Sequence, residues 1–349
     1  MKVIVYSVIK MMAKISVYSY FRGIEINGKE NIPTHGKGYI YAVNHQNALI
    51  DAIIVGSLAP TPVYFLTRAS VFDSPYRWFL EMLNMMPIYR IRDGYSSISK
   101  NDEIFENCEK LLMKGSPILI FPEGNHGEDY YLRPLTKGIS RIALHTYDRV
   151  QSELYILPVG INYFNHFHSG HKLILNYGKP LNIKESFSVF EEHNNKGYKD
   201  LLNRLKPAIQ EVMVIPEKED HYNEQKQIFR RSNESKDFDE MRALAKSGTY
   251  PPTEKQYPWV KPIGLLLEIP NWPPFLLLKY VLNKKVKDRI FTSSIKIAMA
   301  ILILPIWFLI TFIFVLLCLG WLWAMIFLSI QIISLFLRRE LVRFNRDIF

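Results

Sequence analysis

Among the residues of this chain that could do chemistry, His45 stands first. It lies in Asn44-His45-Gln46-Asn47-Ala48-Leu49-Ile50-Asp51, directly after the apolar run Tyr39 to Val43. Imidazole is the side chain best suited to accept a proton near neutral pH, and a carboxylate such as Asp51 can fix its tautomer and stabilise the cation that forms. On a regular helix, residues six apart point about 120° away from one another. The pair therefore requires His45 in a turn and Asp51 in a helix, with Ala48 in its first turn. A helix N-terminus beside the imidazole would disfavour its protonated form and keep the base usable. The bland account of the same residues is a structural histidine capping a turn.

A second polar cluster, Phe121-Pro122-Glu123-Gly124-Asn125-His126-Gly127, follows another apolar run, Ile118 to Phe121. Its glycines allow close backbone approach, and Glu123 can accept hydrogen bonds from glycerol hydroxyls or hold a neighbouring cation. A third stretch, Pro87 to Asp93, would place Arg90 and Arg92 on one face if it is a strand. Two adjacent guanidiniums suit a phosphate, although a solvated sheet edge is the commoner fate of such a pair. Lys137 and Arg133 offer further anion ligands. His166, His168 and His171 match no strong metal spacing and read as a polar loop, and no Gly-x-Ser-x-Gly nucleophile turn is present. The cysteines, Cys108 and Cys318, suggest neither a disulfide framework nor a thiolate metal site.

The elements that must position these groups alternate. Gly38 to Val43, Val63 to Leu66, Ile118 to Phe121, Leu154 to Ile161 and Leu173 to Tyr177 read as strands. Ala48 to Leu58, Tyr76 to Asn84, Asp102 to Lys114 and Lys137 to Thr146 carry helical spacing, with Gly115 at a helix stop. Such alternation predicts an α/β domain whose sheet is covered on both faces, with polar clusters at strand ends where α/β folds place active sites.

The chain has 349 residues, 48% hydrophobic and 22% charged, with a formal net charge of +10. That charge would suit nucleic acid, an anionic membrane or a phosphorylated substrate. Position separates these: Lys279, Lys284, Lys285, Lys287 and Arg289 precede the longest apolar run, and Arg338, Arg339, Arg343 and Arg346 follow it. Ile297 to Leu337 carries no charge and is long enough for two spans at roughly 20 residues each. Basic flanks on both sides predict a hairpin turning around Gly320 to Trp323, with both ends and the catalytic region cytoplasmic. No nucleic-acid partner is expected, because these basic residues lack aromatic interleaving. The expected organisation is an amphipathic membrane-associated helix over 1–22, an α/β domain over 23–215, a charged helical, linker and membrane-surface region over 216–295, and the hairpin with a basic tail over 296–349. Within the third region, Ile263 to Leu282 is too interrupted by Pro270, Pro273 and Pro274 to read as a span.

Asn44 to Asp51, Met86 to Arg92, Phe121 to Gly124 and Leu157 to Asn162 resemble, in order, the four motif blocks of the phospholipid and glycerol acyltransferases, which include lysophosphatidate and glycerol-3-phosphate acyltransferases. The resemblance implies a central mixed sheet flanked by helices, here with a C-terminal transmembrane hairpin. It implies His45 as general base and Asp51 as its partner, with Asn44, Pro122, Glu123, Gly124 and Lys137 on the acceptor. Arg90 or Arg92 would hold the acceptor's phosphate, and Pro158 would shape the acyl wall. It implies no metal or cofactor; acyl-CoA or acyl carrier protein would be the co-substrate, and membrane lipids the partners. The implied reaction is acylation of lysophosphatidate, with glycerol 3-phosphate or another lyso-lipid as the alternative acceptor and a non-catalytic lipid-binding protein as the rival. Two departures stand out. Five residues separate His45 from Asp51 where the family usually has four, as in a subset that includes eukaryotic glycerol-3-phosphate acylating members, and His126 stands near where many members carry arginine.

Overall fold

Alternating apolar runs and helix stops build a layered α/β domain, which a computed structural model describes over residues 2–33, 38–73, 75–89, 100–150, 153–231, 236–247 and 257–344. The elements are α1 (Lys2–Tyr20), β1 (Gly23–Asn27), β2 (Gly38–Val43), α2 (Ala48–Leu58), β3 (Tyr64–Arg68), α3 (Arg77–Met82) and β4 (Met85–Ile88). Then come α4 (Lys100–Met113), β5 (Ile118–Ile120), α5 (Gly138–Val150), β6 (Leu154–Tyr163), β7 (Lys172–Tyr177), β8 (Leu181–Asn182), α6 (Lys184–Glu192), α7 (Asn194–Glu211), α8 (Tyr222–Arg231) and α9 (Phe238–Ser247).

The strands form one mixed sheet in the order β1-β7-β6-β2-β5-β3-β4, with β8 also paired to β6. From β6 to β4 all neighbours are parallel, while β7 runs antiparallel to β6. β2 is buried along its whole length, as a central strand covered on both faces must be. Its side chains alternate between two cores. Tyr39, Tyr41 and Val43 pack with α1 and α2, whereas Ile40 and Ala42 pack with residues of α4, α5, α6 and α7. Each large aliphatic chain fully buried in this way stabilises the fold by about 1.5–3 kcal/mol. A smaller apolar cluster joins Tyr130 and Phe164 to α8 and α9. Because β2 and β5 are adjacent and parallel, both polar clusters leave the same edge of the sheet.

α1 has one buried and one exposed face. Tyr6, Ala13, Val17 and Tyr20 are buried, and Lys10 Nζ donates to the carbonyls of Ala59 and Thr61 at 2.7 and 3.1 Å, while Val3, Ile4, Met11 and Ile15 are exposed. One face of α1 is thus fixed to the domain and the other is free to meet lipid.

The C-terminal part is helical: α10 (Val260–Glu268), α11 (Trp272–Lys284), α12 (Thr292–Leu319) and α13 (Trp321–Glu340). Gly320, at φ +88°, makes the turn between α12 and α13 where the sequence places it. Arg289–Leu319 and Trp321–Glu340 are long and apolar enough to cross a membrane, and so by length and composition is α1. α12 would be roughly 42 Å long at 1.5 Å per residue, against a hydrocarbon core of about 30 Å. The surplus is its first turns, where Ile297 and Ile301 join the core of the α/β domain. The proline-interrupted stretch forms the two helices α10 and α11. At their break, Pro270 O accepts from Gln331 Nε2 at 3.1 Å, and Asn271 Nδ2 donates to Gln331 O at 2.9 Å. A helix interruption among apolar helices needs such side-chain partners.

Candidate active site

The edge of the sheet that carries β2 and β5 assembles the site. The chain leaves Val43, turns through Asn47 (φ −150°) and Ala48 (φ +38°), and enters α2. A positive φ at a non-glycine residue is strained by about 1–2 kcal/mol, and here it resolves the angular problem of a six-residue separation. His45 stays in the turn and Asp51 sits in the first turn of the helix, so Nδ1 of His45 lies 2.8 Å from Oδ2 of Asp51.

Asp51 is fully buried and saturated with donors. Oδ2 also accepts the Asn47 N–H at 2.8 Å, and Oδ1 accepts the hydroxyl of Tyr163. Burial and the nearby Asp51 charge hold the Tyr163 phenol well above its ordinary value, so it donates as a neutral group. The network assigns the Nδ1–H tautomer to His45 and leaves Nε2 as the lone-pair nitrogen. The His45 ring stacks on Phe121 at 3.8 Å between centroids and meets His126 edge-on at 5.6 Å. Burial, followed by the His45 charge, pushes the His126 imidazole down and keeps it neutral.

Glu123 lies under the same turn. Its Oε1 accepts the backbone N–H of His45 at 2.6 Å, and its Oε2 accepts Arg133 Nε at 2.6 Å. Arg133 also donates through Nη2 to the carbonyls of His45, at 2.8 Å, and Asn125. Burial pushes the Glu123 carboxyl up, and Arg133 and the His45 N–H oppose that shift. Of the two roles the sequence leaves open to Glu123, the structure shows the holding of a cation, and it binds the His45 turn to the neighbouring one. Gly124, at φ +70°, completes that turn, with Thr136 donating to Pro122 O through N at 2.7 Å and Oγ1 at 2.9 Å.

The remaining expected residues fall in different places. Asn44 is completely buried, and its side-chain amide is paired in both directions with the backbone of Ile161, at 3.0 and 2.7 Å. This corrects the expectation that it faces an acceptor: its hydrogen-bonding capacity is used to tie the end of β2 to β6. Pro158 is buried within β6, opposite Ala42, with its carbonyl accepting from Gly178 N at 2.9 Å. Lys137 is exposed, next to Thr136 and at the start of α5. Arg90 and Arg92 lie outside the described residues. His166 Nε2 is 3.1 Å from Gln46 Oε1, and burial pushes its imidazole down to about 3. Two functional side chains escape sequence reasoning: Tyr163, whose only signal is that it continues the α2-facing alternation of Val159 and Ile161, and Arg133, which reads as an anion ligand but is engaged by Glu123.

Residues 23–162 match the Acyltransferase family model. That segment holds both polar clusters and the His45–Asp51 pair. The chain is similar to a chloroplastic 1-acyl-sn-glycerol-3-phosphate acyltransferase of Brassica napus, 31% identical over 138 residues, 39% of this chain and 38% of that one. It is also similar to glycerol-3-phosphate O-acyltransferase 1 of Saccharomyces cerevisiae, 29% identical over 126 residues, 34% of this chain and 17% of that one. The matched stretch is therefore well under half the length of these relatives. A solved 1-acyl-sn-glycerophosphate acyltransferase from Thermotoga maritima superposes with a TM-score of 0.42 at 22% identity, over 58% of this chain and 78% of that one.

Proposed function

We propose that this chain is a membrane-bound O-acyltransferase that transfers a fatty acyl group from a thioester carrier to the free hydroxyl of 1-acylglycerol 3-phosphate. The observation that carries the proposal is the His45–Asp51 pair: a buried carboxylate with three donors on one side, and an imidazole whose Nε2 is left as base on the other. His45 Nε2 removes the acceptor hydroxyl's proton as that oxygen attacks the thioester carbonyl. The resulting tetrahedral adduct collapses with cleavage of the C–S bond, and the imidazolium returns its proton to the departing thiolate. Asp51 stabilises the imidazolium while it exists. The steps balance without a metal or a covalent acyl-enzyme, and the donor is acyl-CoA or acyl carrier protein.

Lysophosphatidate is preferred as acceptor because the Brassica relative carries that activity in its name. The yeast relative and the five-residue spacing favour glycerol 3-phosphate as the second reading. The basic residues flanking both ends of the α12–α13 hairpin support a cytoplasmic catalytic face. The experiment is acyl transfer by detergent-solubilised protein from a labelled acyl thioester to each acceptor, with His45→Ala alongside. Product from wild type that disappears in the variant supports the reading, and equal product from both overturns the role of His45.

A further inference from the structure

The helix that carries Asp51 begins with an incomplete cap. Asn47 occupies the N-cap position of α2, where a side-chain oxygen would ordinarily accept the N–H of the second or third helical residue. It does not do so. Its Nδ2 donates instead to His166 O at 2.6 Å, and its Oδ1 is buried with no hydrogen-bond partner among the described residues. The N–H left over, that of Ile50 one residue before Asp51, is accepted at 3.1 Å by Ser294 Oγ from the first turn of α12. Ser293, its neighbour, donates to the same His166 carbonyl that holds Asn47, and lies 2.8 Å from the Tyr20 hydroxyl at the end of α1. Both serines are buried. Just before them, Phe291 meets the His126 ring at 5.3 Å, and His126 is the ring that stands edge-on to His45.

These contacts converge on one turn. Ser294 caps the helix of Asp51, Ser293 and Asn47 share a carbonyl, and Phe291 backs the ring beside the base. Ser293 and Ser294 lie in α12 and Phe291 just before it, all three outside residues 23–162, the part of the chain that matches the acyltransferase family model. From this we infer that the first turn of α12 is a working part of the active site. Ser294 is a positioning residue that supplies, from the membrane hairpin, the N-cap that α2 lacks, and so holds Asp51 in register with His45. The hairpin then couples the catalytic turn to the bilayer as well as anchoring the domain. Ser294 touches no reacting atom and acts through α2.

This inference rests on the acyltransferase reading for its kinetic consequence but not for its structural one, and the test separates the two. Full-length wild type, Ser294→Ala and Ser294→Thr are compared in the same detergent. Hydrogen exchange in the peptide spanning the start of α2 needs no substrate. It should become faster in Ser294→Ala and return to the wild-type rate in Ser294→Thr, which keeps a hydroxyl. In acyl transfer, Ser294→Ala should lower kcat about fivefold to tenfold, the range set by loss of an N-cap, with the acceptor KM nearly unchanged. A looser Asp51 would stabilise the His45 imidazolium less, so the acid limb of kcat/KM should move to lower pH, a shift that simple loss of folded protein would not produce. Unchanged exchange at the start of α2 in Ser294→Ala overturns the inference whatever the activity. So does an active enzyme whose kcat and acid limb are those of wild type. A wild type that transfers no acyl group, with exchange faster in Ser294→Ala, would remove the proposed reaction and leave the coupling of α12 to α2 standing.

Discussion

Replacing Arg133 with methionine should strip Glu123 of its counter-ion without opening much space. The pair is 2.6 Å apart, with side-chain exposures of 18% for Arg133 and 2% for Glu123. Removing one member of a pair this buried costs about 3–5 kcal/mol, because the partner's charge is left uncompensated. Two further Arg133 bonds go with it, those from Nη2 to the His45 and Asn125 carbonyls, while its backbone N–H to Glu123 is kept. The penalty should depend on pH with a definite sign. Burial already raises the Glu123 carboxyl in the folded chain, despite Arg133. A carboxyl whose folded pKa is raised keeps its proton where the unfolded chain has released it. Stability therefore falls as pH rises from the unfolded value of about 4.3 through the folded one. Losing Arg133 extends that window upward, so Arg133→Met should be least stable near pH 8 and recover markedly toward pH 5.5. Thermal unfolding in detergent across that range, followed by tryptophan fluorescence, reads the effect. Glu123→Gln combined with Arg133→Met should lose the excess pH dependence and regain part of the stability. Arg133→Met with wild-type stability at pH 8, or with no steeper pH dependence than wild type, would refute the electrostatic argument.

Three other outcomes follow from the same contacts. Tyr163→Phe removes a donor to a buried carboxylate, worth about 1.5–3 kcal/mol, and makes Asp51 more basic. The His45 imidazolium is then better stabilised, and the acid limb of kcat/KM should move to higher pH, opposite to the shift expected for Ser294→Ala. Asp51→Asn removes the acceptor that fixes the His45 tautomer; by analogy with serine-protease triads, kcat should fall by a factor on the order of 10⁴ while the folded content, read by circular dichroism, changes little. Gly124→Ala places a Cβ 3.0 Å from Thr136 Cγ2 at a backbone φ of +70°. Strain of about 1–2 kcal/mol should lower the unfolding temperature, and Thr136→Ser, which removes the methyl but keeps the hydroxyl, should restore only the part due to the contact.

The sequence made the centre of the domain legible because the signals there are strong and local. β2 and α2 run over the residues expected of them, since a six-residue apolar run rich in aromatic and β-branched residues suits a buried strand, and the strand end, the polar turn and the apolar helix follow in a few residues. Gly320 marked the hairpin turn because nothing else interrupts that apolar stretch. β1 and β4 were not apparent, being short, half-buried edge strands whose pattern resembles loop. α10 and α11 were obscured by prolines, which local reading takes as breaks but which the structure places at the first turns of helices and supports with Gln331. In the site, the His45–Asp51 pair was readable because both partners lie in one motif. Tyr163, Arg133 and Ser294 were not, because each reaches the motif from a distant part of the chain. Asn44 shows the converse: a polar residue beside a candidate base looks like a ligand contact, yet its partner is the neighbouring strand.

The most direct test of the central claim is the initial rate of acyl transfer from a radiolabelled acyl thioester to 1-acylglycerol 3-phosphate, measured for wild type and His45→Ala at equal folded concentration. The account predicts labelled diacylglycerol 3-phosphate from wild type and none above background from His45→Ala. Product at comparable rates from both proteins would contradict it, as would a folded wild type that transfers to neither this acceptor nor glycerol 3-phosphate from any thioester donor.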